Sequence, residues 1–208
     1  MEESAHYLCP NAALKETPAA HDSTWDIAQK ASLADAVTGD APVRLTTFQI
    51  LRDDRQAKIF VRFQKEADQV YSNFKIHDEP LWKQEVFELF VCDDNHLETY
   101  KELQSSPWDV LFDGIISYDK QGKRHLNVSW HAAGWESISH FDKNNGRLTT
   151  VWSIPYDAFD TKPKAGISWR LGVFAVNQNG ESQDLLSWQK LGRPNFHLPE
   201  RFGYLDFE

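Results

Sequence analysis

Methionine occurs once in this 208-residue chain, at position 1, and cysteine twice, as Cys9 and Cys92. A lone methionine there excludes Met/His haem ligation of the cytochrome kind. The two cysteines show no C-x-x-C metal spacing and make no disulfide framework. They read as free thiols in a reducing compartment. No stretch approaches the ~20 apolar residues of a membrane span. No cluster of Lys and Arg is present to meet nucleic-acid phosphates. The 31 acidic residues outnumber the 22 basic ones, for a net charge of −9, which favours solubility over polyanion binding. Neither a membrane nor a nucleic acid is expected as a partner. The N-terminus carries Glu2 and Glu3 where a signal peptide needs positive charge, and it lacks an apolar run of about 7–15 residues. A cytoplasmic protein is the default expectation, although a chain whose leader has been removed reads the same.

Catalytic signatures are also missing. There is no G-x-S-x-G elbow, no Walker loop, no G-x-G-x-x-G and no H-E-x-x-H. The eight histidines are scattered, with no i, i+2 pair and no cysteine beside them, so a zinc site gains no support. Long amphipathic helices, internal repeats and low-complexity tracts are absent as well.

What the chain does have is short apolar runs separated by turn residues. Residues 1–22 are polar and aperiodic and read as an N-terminal arm, partly ordered by Tyr7 and Leu8. From about residue 23 the pattern is continuous to the C-terminus, as one domain. RLTTFQIL (44–51) and AKIFVRFQ (57–64), separated by Asp53 and Asp54, read as a hairpin. Ile59, Val61 and Phe63 alternate with polar residues, the period of a half-buried strand. Further strands are expected at 85–91, 98–104, 109–118, 124–133, 147–155 and 167–178, the last running into a tight turn at Asn179-Gly180. Residues 155–160 and 33–37 could each make one helical turn. About ten closely spaced strands with hardly any helix predict an all-β fold, an antiparallel β-sandwich or barrel.

Aromatic residues are plentiful, and eight of them are tryptophan. Trp152 and Trp169 sit within apolar alternation and read as core. Trp82, in DEPLWKQE, and Trp188, in QDLLSWQKLGRP, stand in polar surroundings. Each offers a flat apolar face with one donor, suited either to stacking on a sugar ring or to capping the end of a sandwich. If 85–91 is extended, Val86, Glu88 and Phe90 share one face. A lone carboxylate between two apolar neighbours is costly and needs a cation, a hydrogen-bonding ligand or a metal. Arg170 interrupts another apolar strand and is a candidate partner, and Gly172 beside it leaves room for a close approach. The alternatives are an internal Glu88–Arg170 pair or a binding role for both. Trp82 and Glu88, six residues apart, project to one side of an extended chain. Glu85, Glu88, Glu102 and Asp113 could also supply paired carboxylates for glycoside hydrolysis.

These residues also carry a resemblance. FVRFQ, the LWKQEVFELFV block, ETYKELQSSPWDVLFD, GISWRLGVFAV and the ending FHLPERFGYLDFE, in that order from Trp25 onward, resemble family 9 carbohydrate-binding modules. They are closer still to uncharacterised bacterial relatives in the DOMON-like superfamily. The resemblance implies a β-sandwich of two antiparallel sheets and a sugar clamped between two tryptophans, with polar residues on its hydroxyls. Trp82 and Glu88 match the first clamp residue and the ligand-binding glutamate, and Trp188 is the implied second clamp residue. Asp184-Leu185-Leu186 stand where an amide is implied, and Asn177 and Gln178 could substitute for it. The implied partner is a carbohydrate or a similar small polar ligand. No cofactor is implied, apart from the structural calcium that some family members bind. No Asp/Asn-rich loop with clear ligand spacing is visible for it, and Asp93-Asp94-Asn95 reads as a solvated turn. A protein-interaction domain that kept the fold without the sugar site is a further alternative.

Overall fold

The computed structural model describes residues 4–179 and 181–208. In chain order its strands are β1 (His6–Cys9), β2 (Ala31–Ser32), β3 (Ala34–Asp35), β4 (Thr46–Asp53), β5 (Lys58–Glu66), β6 (Val86–Cys92) and β7 (Thr99–Ser105). Then follow β8 (Leu111–Tyr118), β9 (Arg124–Asn127), β10 (Glu136–Asp142), β11 (Arg147–Pro155), β12 (Ser168–Asn179), β13 (Ser182–Ser187) and β14 (Gly203–Phe207). They form two sheets. The nine-stranded sheet runs β1-β14-β12-β6-β7-β8-β9, with β13 beside the second half of β12 and β3 beside β13. The five-stranded sheet runs β10-β11-β5-β4-β2. Every strand pair is antiparallel except β1 with β14, so the expected antiparallel β-sandwich is the fold.

Alternation decides which side chains go between the sheets. Phe87, Leu89 and Val91 of β6, Leu171, Val173 and Ala175 of β12, and Ile59, Val61 and Phe63 of β5 all enter one core. Phe63 and Phe87 stack across it with ring centroids 4.7 Å apart. Trp152 is fully buried there and its indole N–H donates to Ser105 Oγ at 2.8 Å, which gives the buried polar handle a partner. Trp169 is also buried.

Each sheet has a second, outer face. The five-stranded sheet is covered by the segment preceding it: Ala12, Trp25 and Ala28 pack on Leu51, Phe60 and Val151. The nine-stranded sheet is covered only in part, where Leu191, Leu198 and Phe202 lie on Phe90, Cys92 and Phe174. The uncovered part of that face is the cleft described below.

Several expectations change. The N-terminal arm is built into the sandwich: β1 pairs with β14, and Tyr7 is buried with its hydroxyl donating to the Gln29 carbonyl at 2.6 Å. Its aperiodic polar sequence hides this because only alternate residues of β1 face inward. Residues 33–37 hold β3 and a turn rather than a helical turn, whereas Tyr156–Ala158 do form a short 3-10 turn. The strand expected over 124–133 stops at Asn127, and Gly134 at φ +77 helps turn the chain beyond it. Strand β10 went unread because its only fully apolar side chain facing solvent, Ile138, sits on an edge strand beside β11. Asn179 pairs with Ser182, while Gly180 of the expected tight turn lies outside the described residues.

Candidate functional site

The cleft lies on the outer face of the nine-stranded sheet. Its floor comes from adjacent strands whose even-numbered residues face outward. In β6 and β7, Glu88 stands opposite Gln104 and Phe90 opposite Glu102, so Glu88, Gln104 and Glu102 form one polar patch. The cleft has a volume of about 320 Å³, and its walls include Trp82, Leu126, Arg124, Asn195, Phe196 and His197.

The Trp82 wall is held from below. Trp82 belongs to the 3-10 turn Leu81–Lys83 that follows Pro80. Leu81 is buried with Val86, Phe112 and Val176, and this anchors the turn. The Glu79 carboxylate accepts from the Lys75 and Ile76 N–H groups at 2.6 and 2.7 Å, closing the loop before it. Trp82 packs edge-on against Phe112, centroids 5.3 Å apart, and remains 40% exposed. The facing wall is the segment after β13. Phe196 stacks on Phe174 at 4.5 Å. His197 stacks on Phe90 at 5.0 Å, and its Nδ1 lies 2.8 Å from the Tyr100 hydroxyl. Burial, with the Arg124 charge nearby, pushes His197 down to about 3, so the ring is neutral at physiological pH.

The floor is electrostatically unusual. Glu88 is 1% exposed, and its Oε1 has no hydrogen-bond partner. Gln104 Nε2 donates to Glu102 Oε1 at 2.5 Å, while Gln104 Oε1 is itself unpartnered. Burial raises Glu88 well above the usual carboxyl range, and the nearby Glu102 adds to the rise. Burial also pushes Glu102 up to about 7, against the opposing effects of the Gln104 hydrogen bond and the Arg124 charge. A desolvated acid holds its proton because its charged form has lost water. The result is a floor of proton-holding carboxyls on which two buried oxygens, Glu88 Oε1 and Gln104 Oε1, lack partners.

Only some of the expected site residues meet here. Trp82 and Glu88 do. Trp188 does not: its ring packs edge-on against Phe48 and Tyr7, at 5.5 and 6.3 Å, and lies over Gly203, where an added Cβ would come within 2.5 Å of it. It therefore caps the inter-sheet core. The tryptophan clamp is not formed. Arg170 shares the outer face with Glu88, but the row between them, Phe90 opposite Gly172, is filled by the Phe90 ring and by the Phe174 ring lying over Gly172. Its guanidinium donates to the Phe202 carbonyl at 3.1 Å through Nε and lies over the Tyr204 ring at 4.6 Å. An internal Glu88–Arg170 pair is thus absent. The room expected beside Gly172 is filled by Phe174 and Phe202, whose ring atoms would lie 2.5 and 3.0 Å from an added Cβ. Asn177 is buried on the inward row of β12, and neither atom of its side-chain amide has a partner. Gln178 lines a separate hollow with Glu85 and Tyr71.

Two amides line the cleft, Gln104 on its floor and Asn195 in its wall. Tyr100, Glu102 and Gln104 alternate along β7, but Glu102 has an apolar neighbour on one side only, so the criterion that singled out Glu88 passed over this strand. Phe196 and Arg124 left no such signal, because one lies in an irregular segment and the other on a short exposed strand. Of the other carboxylates, Glu85 pairs with Lys65 on the inward side, and Asp113 lies beside two histidines.

Calcium, implied by resemblance, requires about six to eight oxygen ligands. In Asp93-Asp94-Asn95 the acids are committed: Asp93 to Lys101 Nζ and the Thr161 N–H, Asp94 to the His96 N–H. Among the described residues, the one grouping of three or more His, Cys, Asp or Glu ligand atoms contains two imidazoles, a poor match to that ion.

Residues 18–208 match the family described as "Carbohydrate family 9 binding domain-like". Among solved structures, the chain is similar to one from Bacteroides uniformis whose name calls it carbohydrate-binding. The TM-score is 0.79 at 16% identity, covering 99% of this chain and 100% of that one. It is also similar to a family 9 carbohydrate-binding module from Caldicellulosiruptor kristjanssonii in complex with cellotriose, with TM-score 0.66, 10% identity and coverage of 98% and 94%. A structure of such a module from the same organism with glucose gives 0.64, 9%, 98% and 96%. No curated protein sequence matches the chain.

Proposed function

The chain belongs to the carbohydrate family 9 binding domain-like family, and from that membership we propose that it is a non-catalytic module binding a carbohydrate in the cleft between Trp82 and Phe196. The observation that carries this reading is Glu88, a buried carboxyl whose Oε1 lacks a partner on the floor of an open cleft. A buried acceptor left unmade costs about 1–3 kcal/mol, so a ligand that donates hydrogen bonds there gains more than it would in water. Sugars donate through their hydroxyl rim and present C–H groups on their faces. Glu88, Gln104 and Glu102 serve the rim as acceptors, Arg124 and Asn195 add donors at the edge, and Trp82 covers a face. The small volume suits a short saccharide or a chain end.

Hydrolysis is the competing reading, because Glu88 and Glu102 are diagonal neighbours, a relation that places strand residues about 7–8 Å apart. That distance falls within the range glycosidases use. One feature favours binding: the two carboxyls lie side by side on the same floor of the cleft, with neither on a facing wall. Sustained turnover of an aryl glycoside, abolished by Glu88→Gln, would sink the binding reading.

The test is calorimetric titration against mono- and oligosaccharides, headed by glucose and cello-oligosaccharides. Trp82→Ala is expected to weaken binding by about 2 kcal/mol, roughly thirtyfold, with little change in melting temperature. A wild-type protein that binds no sugar in the panel overturns the proposal.

A further inference from the structure

We infer that His77, Asp78, Asp113 and His131 form a binding site for a transition-metal ion of the zinc class, closed by four protein ligands. These residues come from three separate pieces of chain: the turn before Trp82, strand β8 and the segment after β9. One ligand atom from each converges, all four lying within 4.8 Å of one another. His131 Nδ1 is 2.8 Å from Asp113 Oδ1, and His77 Nε2 is 3.2 Å from the same oxygen. His77 Nε2 is also 3.1 Å from Asp78 Oδ1. Tetrahedral ligands about 2.0–2.1 Å from a central ion stand roughly 3.3 Å apart, so small adjustments bring this set to coordination distance.

A second observation points the same way. Asp78 Oδ1 is buried and has no hydrogen-bond partner, although an imidazole nitrogen lies 3.1 Å from it. The same imidazole nitrogen is hydrogen-bonded to Asp113 Oδ1 at 3.2 Å, which leaves the Asp78 oxygen an unmet acceptor within the cluster. Asp113 supports this. Its side chain is 2% exposed, and among the described residues no Lys or Arg pairs with it. Its second oxygen, Oδ2, accepts from the Ala132 N–H at 2.7 Å, which fixes the carboxylate and leaves Oδ1 turned to the histidines. Outer hydrogen bonds of this kind orient metal ligands. The Asp78 backbone is held at φ +67 and its N–H donates to the Leu111 carbonyl at 3.0 Å, so the turn is fastened to β8.

Donor chemistry selects the ion. Two imidazoles with two carboxylates suit zinc and its first-row neighbours, whereas calcium prefers oxygen alone. The site sits beneath the Trp82 wall: Asp78 is four residues before Trp82, and Asp113 adjoins Phe112, on which Trp82 rests. An ion here ties both supports of that wall together. The inference stands independently of what the cleft binds.

The test uses the full chain without a histidine tag, stripped by chelator and titrated calorimetrically with zinc chloride and, in parallel, calcium chloride. One zinc per chain is expected, with a rise in melting temperature and no calcium binding at this site. His77→Ala and His131→Ala remove half-exposed rings, so both variants should fold, and each should weaken zinc at least ~100-fold, beyond the range for outer-shell losses. Cobalt(II) provides a second readout: an intense tetrahedral visible band in wild type, lost in both variants. Zinc affinity unchanged in both histidine variants overturns the site. So does the absence of one-to-one zinc binding in wild type, or calcium binding that is lost in Asp113→Asn.

Discussion

Glu85, the residue just before β6, and Glu88, within it, are 2% and 1% exposed and face opposite sides of the sheet. On the inward side, Glu85 receives Lys65 Nζ on one oxygen and the Tyr71 N–H, at 2.5 Å, on the other. On the outward side, Glu88 has no ion pair among the described residues, and one oxygen has no hydrogen bond. The same residue type, equally buried and three positions apart, is satisfied by the protein in one place and left wanting in the other. Burial therefore does not separate structure from function here. The supply of partners does. The interior has unmet groups of its own, such as the Trp169 indole N–H and the Asn177 amide, but among the described residues only on the cleft floor does an unmet carboxyl oxygen border a hollow open to a ligand.

The comparison breaks most forcefully at Glu85. Glu85→Ala leaves the Lys65 ammonium buried and unpaired, and losing one partner of a buried pair costs about 3–5 kcal/mol. Burial already holds the Lys65 pKa down against the opposing pull of Glu85. Urea denaturation of this variant should show that loss, and a midpoint equal to wild type would mean the pair is not structural. Next comes Trp188→Ala, expected to remove about 3 kcal/mol, the low end for a packed tryptophan, because the ring is only partly buried. Sugar affinity should remain once the protein is folded. A variant with wild-type stability and lost binding would restore Trp188 to the site.

How much of this was legible in the sequence follows the same division. Strands with clean alternation, such as β5, β6 and β11, were readable because one face is apolar. The floor residue Glu88 was readable because it broke that alternation. Trp188 was misread because polar neighbours in sequence say nothing about what lies above a side chain in space; here Phe48, Tyr7 and Gly203 do. Arg170 broke its strand's pattern as Glu88 did, yet its needs are met by carbonyls of the 199–202 turn, a long-range contact with no sequence signature. His77 and His131 looked scattered because 54 positions separate them in the chain (131 − 77). Only the β8 edge brings them together.

Glu102 sharpens the comparison through pH. Burial raises its folded pKa to about 7, above the ordinary glutamate value of 4.5. The folded state therefore holds the proton more tightly than the unfolded chain. The associated stability is fully present below about pH 4.5 and is lost as pH rises through about 7. Glu102→Gln, which stays neutral, should equal wild type near pH 4 and exceed it at pH 8 by up to about 3 kcal/mol. Parallel stability curves for the two proteins between pH 4 and 8 would show that burial does not raise this carboxyl.

Glu88→Gln, followed by calorimetric titration with the best-bound saccharide and by urea denaturation, tests the central claim most directly. Replacing an unpartnered buried carboxyl with an amide of the same shape should leave the protein at least as stable as wild type. Binding should weaken by about 0.5–1.5 kcal/mol, the net contribution of a neutral hydrogen bond, because the amide puts an NH2 donor where the carboxyl has an O–H and an acceptor. A variant that binds like wild type but loses the several kcal/mol expected for Glu85→Ala would contradict the account and make Glu88 a structural residue like its neighbour.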